Sequence, residues 1–363
     1  MDQKINNNID AKTLSELGEK TIVKEITSFL SVDERLIGGF GGDSAIISFG
    51  LENEFLLVNT DRSGMNIAYK LGLSDGSCVG DFAVSHAVSD IYASGGTPYA
   101  ISIALMLPEN LTLKFVKEVM KGAQEAANKY GAFIASGDTK QASKFSAVVT
   151  AIGKCKPNNV LTRSGAKPGD LLVITGNLGT MLSGLIAIKQ GLNISDDDLE
   201  VARNSIIYQN PPHNFPREMF DNSVLHAGMD NSDGLISSIY SLCEQSNLGV
   251  ILYEDKVPYL DITKKIAAQI HVSPFQLCLG SGDWQHLFAV KREFINKILS
   301  YANQSDTKLT VIGEFTDTAQ VAVKTSNGLY SIKRIENDRF GIGGTSWFDY
   351  LSRKINYIGE KIS

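Results

Sequence analysis

The chain has 363 residues, 43% of them hydrophobic and 20% charged, and a formal net charge of −6. That is room for two globular cores, and the acidic balance argues against nonspecific nucleic-acid binding, which needs a basic surface. The longest uncharged apolar stretch, residues 100–108, is far too short to span a bilayer, and the polar, Asn-rich residues 1–12 read as a flexible tail without the apolar core of a signal peptide.

Residues 13–30 place Leu14, Leu17, Ile22, Val23, Ile26, Phe29 and Leu30 mostly at helical spacing. Strands are expected at 44–49 and 54–60, then a helix over 78–96 stopped by Gly95-Gly96. A strand near 99–107, a helix over 111–130 ended by Gly131, and strands at 132–136 and 145–155 follow. Turn formers cluster in "KPNNVLTRSGAKPGD" and mark a boundary, dividing the chain into a domain at 13–155 and a second at 156–363. Beyond it the pattern predicts strands at 170–175, 225–229, 248–253 and 309–314. Helices are expected at 179–190, near 196–222, and at 234–246, 261–270 and 292–302. Helices and strands mixed in two halves imply α/β or α+β domains. Cys78, Cys155, Cys243 and Cys278 are scattered, without metal spacing, and read as reduced, partly buried thiols of a cytoplasmic protein.

Acidic residues recur where strands or helices meet glycine-rich turns: Asp43 in "GGFGGDSAII", Asp61 after "FLLVNT", Asp90 in "AVSDIYASGG", Asp138 after "FIASG", and Asp230 and Asp233 in "MDNSDGL". Carboxylates drawn from five segments are what Mg²⁺ and a polyphosphate require, since Mg²⁺ wants hard oxygen ligands. Each also has a plainer reading. Ser232 and Asp233 suit a helix N-cap, and Asp43 and Asp61 suit turns beside glycine. Asp90, set among Val88, Ile91 and Ala93, is harder to explain that way.

In order and spacing these segments resemble the aminoimidazole-ribonucleotide-synthetase-like superfamily, and within it the thiamine-monophosphate kinases. "SELGEKTIVKEI" is similar to the opening helix of those kinases, "GFGGDSAII" to G-I-G-D-D-x-A, and "LLVNTD" to S-T-D. "AVSDIYASGGTP" is similar to S-D-x-x-x-M-G-A-x-P, "SGDT" to G-G-D-T, "LTRSGAKPGDLLVITGNLG" to the linker and "MDNSDGL" to D-x-S-D-G-L. The resemblance runs from about Ser15 to Asp283. It implies a two-domain fold whose N-terminal mixed sheet pairs in a homodimer, with a C-terminal α/β domain and ATP bound near the dimer interface. It implies Mg²⁺ held by Asp43, Asp61, Asp90, Asp138, Asp230 and Asp233, aided by Thr60, with Gly137, Asp138, Arg163 and Ser232 against the nucleotide. It further implies transfer of a phosphoryl group by alignment and charge neutralisation, in which those aspartates are the candidate catalytic groups.

Departures gather on the acceptor side. The first of the two aspartates after G-x-G is Gly42 here. The kinases' His-Phe pair is replaced by Ala68-Tyr69, and their G-G-E-D-Y-E-L reads "GSGDWQHLF", with Gly282 and Trp284 for the glutamate and tyrosine and Asp283 kept. "GGTSWFDY" loosely resembles the aromatic segment that stacks on thiamine, through Trp347 or Phe348, and its glycines suit a lid. Tyr69, Lys70, Trp284 and His286 are candidates to read a replacement acceptor. The expected activity is an ATP- and Mg²⁺-dependent phosphotransfer to a small molecule, an acceptor that need not be thiamine monophosphate. Alternatives are a sibling synthetase that activates a carbonyl or amide oxygen, selenophosphate synthesis (disfavoured because the first cysteine is Cys78), and a non-catalytic nucleotide-binding protein.

Overall fold

A computed structural model of the chain describes residues 53–215, 217, 220–280, 282–335 and 356–362, with 33–34, 36–38, 43–48 and the single positions 21, 24 and 28 before them. The tail at 1–12, most of the expected helix over 13–30, and Trp347 and Phe348 lie outside the described residues.

The first half runs β1 (Leu36–Ile37), β2 (Ala45–Ser48), β3 (Phe55–Ser63), α1 (Ile67–Lys70), α2 (Ser77–Ala93), β4 (Thr97–Leu107), α3 (Leu113–Lys129), β5 (Phe133–Gln141) and β6 (Ser146–Cys155). Its six strands order as β1-β2-β3-β6-β4-β5. β4 and β5 are parallel, joined by the crossover helix α3, and the other pairs are antiparallel. α2 is apolar on nearly every side because it lies between the sheet and α3. Val84, Ala87, Val88 and Ile91 meet Leu57, Ile101, Val149 and Ala151 in one core. Each fully buried Val, Leu or Ile there contributes about 1.5–3 kcal/mol relative to exposure. α3 shows the opposite pattern, with one apolar stripe (Phe115, Val119, Ala123, Ala126, Ala127) and a Thr112 hydroxyl that accepts from the Phe115 amide at 3.2 Å. The two helices approach so closely that a Cβ at Gly80 would lie 1.8 Å from the Val119 carbonyl oxygen, and one at Gly122 1.9 Å from that of Ser77.

The second half runs β7 (Leu171–Thr175), α4 (Thr180–Gln190), α5 (Asp196–Ile207), β8 (Leu225–Asp230), α6 (Leu235–Ser246), β9 (Gly249–Tyr253), α7 (Asp261–Gln269), β10 (His286–Val290), α8 (Ile295–Gln304), β11 (Leu309–Thr316), β12 (Val321–Thr325), β13 (Gly328–Ile332) and β14 (Ile358–Lys361). These strands form an eight-stranded sheet, β14-β13-β12-β9-β11-β7-β10-β8, mixed because β12 runs parallel to β9. Leu172, Ile174, Leu252, Leu287 and Ile312 centre its main core.

The structure corrects several boundaries. β5 continues to Gln141 rather than stopping at 136, because it is an edge strand whose polar half needs no apolar alternation. α5 ends at Ile207, and Pro211-Pro212 follow, so the helical stretch expected to 222 is cut short.

Candidate metal and nucleotide site

Three of the expected carboxylates converge. Asp43 lies just before β2, Asp90 in the last turn of α2 and Asp230 at the end of β8, and one oxygen from each lies within 4.8 Å of the others. α2 bridges the two halves, carrying Asp90 to the strand that ends in Asp230. An acid at a helix C-terminus opposes the helix dipole, and α2 has no basic residue in its last turn to compensate. The position is therefore unfavourable for the helix itself and is explained by what the carboxylate meets.

Like charges gathered away from water favour protons. Burial, and then Asp43, push Asp230 up to about 8, against a countering pull from Arg163. Asp90 is raised well above its ordinary value by burial and by the charges of Asp230, Asp61 and Asp43. Arg163 neutralises part of the cluster. Its Nε donates to Asp43 Oδ1 at 2.6 Å, its Nη2 donates to the same oxygen, and Asp43 Oδ2 accepts from the Asp230 amide at 3.3 Å. The Asp43 charge in turn holds the guanidinium more firmly protonated. Ser232 donates to Asp230 Oδ1 at 2.9 Å, and Ser89 to Oδ2 at 3.4 Å.

The donor set fits a hard divalent cation, being three carboxylate oxygens with Asp61 alongside and no sulfur or imidazole among them. The buried Ser44 hydroxyl, next in the chain after Asp43, makes no hydrogen bond among the described residues. Asn59 orients Asp61, donating to it at 2.9 Å and to the Ala87 carbonyl at 3.2 Å.

Other expected residues stand apart. Thr60 precedes Asp61 on β3 and so faces the other side of the sheet, where its hydroxyl meets that of Thr150 at 2.9 Å. Cross-strand register aligns Asp61 with Val149, Ile103 and Gly137. Asp138 aligns instead with Ala104, Val148 and Arg62, on the opposite face and three strands away, about 14 Å at the usual strand spacing. Within one chain it does not join the cluster. Gly137 has a packing reason of its own, since a Cβ there would lie 2.3 Å from the Ile103 carbonyl oxygen. Asp233 is exposed, and its charge adds to the elevation of Asp230.

The acceptor-side candidates are mostly packed into the protein. Ala68 is fully buried, and the Tyr69 ring packs on Phe115 with centroids 4.9 Å apart, so this segment is seated against α3. Lys70 is exposed at the end of α1. Trp284 is 4% exposed, packed edge-on to His86 with centroids at 3.9 Å, and donates to Gln209 at 3.2 Å. Asp283 accepts from the amides of Gly179 at 2.6 Å and Met181 at 3.3 Å and thus caps α4. Burial pushes its carboxyl up to about 6 against those amides. Gly282 has φ +123°, and a Cβ would lie 1.9 Å from Met181 Cε, which leaves no room for a glutamate as the side chains stand. His286 is fully buried, its pKa drawn down by burial and by Arg217. The sequence reading passed over Ser89, Asn59 and Arg217. Ser89, directly before Asp90, was the one discoverable by adjacency.

Comparison with known proteins places these features in context. The N-terminal domain model of the AIR synthase related proteins matches residues 41–155, and the C-terminal domain model matches 167–326. A thiamine-monophosphate kinase of Pyrococcus horikoshii is 30% identical over 289 residues, 78% of this chain and 85% of that protein. A putative hydrogenase expression/formation protein of Methanocaldococcus jannaschii is 25% identical over 302 residues, 79% of this chain and 82% of that one. Among solved structures, AaThiL complexed with AMPPCP and TMP superposes with a TM-score of 0.74 at 23% identity, covering 90% of this chain and 99% of that one.

Proposed function

This chain belongs to the AIR synthase related protein family, and from that membership we propose that it is an ATP- and Mg²⁺-dependent phosphotransferase of the thiamine-monophosphate kinase type, acting on a small-molecule acceptor. The observation that carries the proposal is the convergence of Asp43, Asp90 and Asp230 from both halves of the chain. Those three would hold Mg²⁺, with Asp61 beside them. The ion, when bound, supplies the charge that lets a triphosphate approach an acidic site. Arg163, which donates to Asp43, would serve as a two-pronged donor to phosphate oxygens where that carboxylate is otherwise neutralised. Asp230 must release its proton to act as a ligand, and Ser232 and Ser89 fix its two oxygens for that purpose.

The site is completed across a homodimer of N-terminal sheets. Support comes from the edge strand β5, exposed along nearly all its length, and from Tyr99 and Phe133, 52% and 50% exposed, which pack edge-to-face at 5.7 Å. Asp138, on the opposite face from Asp61, then serves a neighbouring chain's nucleotide.

A second reading is favoured by the buried Ala68 and by Gly282, whose positive φ and contact with Met181 leave no room for a glutamate. The acceptor groups of the kinases are gone, as would suit a sibling that activates a carbonyl or amide oxygen. Incubation with Mg-ATP and thiamine monophosphate, with chromatography of the thiamine product, separates the two. Stoichiometric ADP and thiamine diphosphate support the kinase. ADP and free phosphate appearing only with a carboxamide or carbonyl compound support the sibling. Failure to turn over ATP with any acceptor overturns both.

A further inference from the structure

We propose that His286 is a positioning residue for the carboxylate cluster, the middle of a one-way hydrogen-bond chain that runs from the Arg217 guanidinium through His286 and Ser89 to Asp230. The inference rests on the reading of Asp230 as a cation ligand. Arg217 Nη2 lies 3.2 Å from His286 Nδ1, His286 Nε2 lies 3.2 Å from Ser89 Oγ, and Ser89 Oγ lies 3.4 Å from Asp230 Oδ2. The four residues are 2%, 0%, 0% and 1% exposed, so water does not compete for these contacts.

The direction follows from counting protons. A guanidinium can only donate, so Nδ1 must accept, which requires a neutral ring whose proton sits on Nε2. Nε2–H then donates to Ser89, shared between its Oγ and its carbonyl oxygen, and the serine proton is left for Asp230. The other tautomer would point an imidazole N–H at a guanidinium N–H. The chain is also held rigidly. His286 opens β10 in register with Asp230 on β8, and its amide donates to Thr175 Oγ1 at 2.9 Å. The guanidinium carbon sits 4.5 Å from the Tyr92 ring centroid, and Nη2 also donates to the Pro212 carbonyl at 2.9 Å.

Once Asp230 is ionised, one donor on each of its oxygens, Ser232 on Oδ1 and Ser89 on Oδ2, leaves each oxygen a lone pair for a cation and fixes the plane of the carboxylate. Partners of metal ligands that act in this way are worth about 10–100-fold in metal affinity. A buried histidine joined in series to an arginine and a serine therefore controls the aim of a ligand it does not touch.

The test uses Mn²⁺ alone as probe, its Kd read by electron paramagnetic resonance on the full chain without nucleotide, together with ¹⁵N NMR of the histidine rings in the metal-free protein. Ser89→Ala and His286→Phe should each weaken Mn²⁺ by about 10-fold, and the double variant should be no worse than either, because the two act in series. His286→Gln, which can accept from Arg217 and donate to Ser89, should recover most of the loss. The ring of His286 should show the Nε2–H tautomer. An Nδ1–H tautomer, an unchanged Kd in both single variants, or losses that add and follow the thermal midpoint would overturn the proposal. Absence of Mn²⁺ binding in the unaltered protein would instead remove the cation-site reading on which it stands, a result the tautomer measurement keeps separate.

Discussion

Replacing Arg163 with methionine keeps much of the side chain's bulk and removes its charge. The Asp43 side chain is 2% exposed and that of Arg163 29%, so the variant leaves a buried carboxylate facing Asp90 and Asp230 without its guanidinium. Removing one partner of a buried ion pair costs about 3–5 kcal/mol, and the partial exposure of the arginine places this case near the lower end. For a domain of 150–250 residues each kcal/mol moves the thermal midpoint by about 2–4 °C, so about 3 kcal/mol corresponds to roughly 6–12 °C. The assay is differential scanning fluorimetry of both proteins in EDTA and in saturating MgCl₂. It is run well above pH 8, because losing the Arg163 pull raises Asp230 beyond its value of about 8 and residual protonation would cushion the loss. In EDTA the full drop is expected. In Mg²⁺ most of it should be recovered, because the ion takes over the neutralising role and no longer competes with the arginine. An equal drop in both buffers would refute the reasoning, since it would mean that Arg163 and a divalent cation do not act on the same charges.

The metal-free protein should lose stability as pH rises. Folded Asp230 keeps its proton up to about 8, whereas an unfolded aspartate releases it near its ordinary value of 3.8, so between those values the folded state binds more protons. Asp230→Asn should accordingly gain on the unaltered protein across that window, and a difference in thermal midpoint that stays constant with pH would contradict this. Gly282→Ala should cost about 1–2 kcal/mol from its positive φ and about 1–3 kcal/mol from contact with Met181. Urea melts in a Met181→Ala background should retain only the first part, and identical costs in both backgrounds would show that Met181 swings aside freely. Asp283→Ala should cost about 1–2 kcal/mol through the lost cap on α4 and leave KM for ATP and acceptor nearly unchanged. A raised acceptor KM with an unaltered melt would return Asp283 to the substrate.

The long amphipathic and uniformly apolar helices were legible because their periods persist for four turns, and α2 and α3 lie close to where the residues predict. β10 was not legible. All five of its residues are buried, so it shows no alternation, and "HLFAV" is too short for its period to be recognised. The hairpin β12–β13 and the last strand β14 were missed because short strands near a sheet margin alternate weakly. For the site, acids beside glycines pointed to Asp43, Asp90 and Asp230 but could not show that Asp138 lies on the opposite face of its sheet from Asp61. The face a strand residue takes depends on register, and register is a tertiary fact. Trp284 and His286 read as acceptor groups from their motif alone, and only the folded structure shows that one packs on His86 and the other lies 3.2 Å from Ser89 Oγ.

β6 lies between β3 and β4 in space, although it follows both in the chain. Thr60 meets Thr150 across 90 residues of sequence, so the loop that this ladder closes is long and its formation is slow. During synthesis β3 and β4 leave the ribosome well before the strand that joins them, and a chain halted short of residue 146 carries two half-sheets with facing open edges. Such an intermediate invites pairing with other nascent chains. The yield of this protein should therefore respond to the pace of translation through residues 146–155, and to holding chaperones present at that moment, more than to anything at the carboxylates.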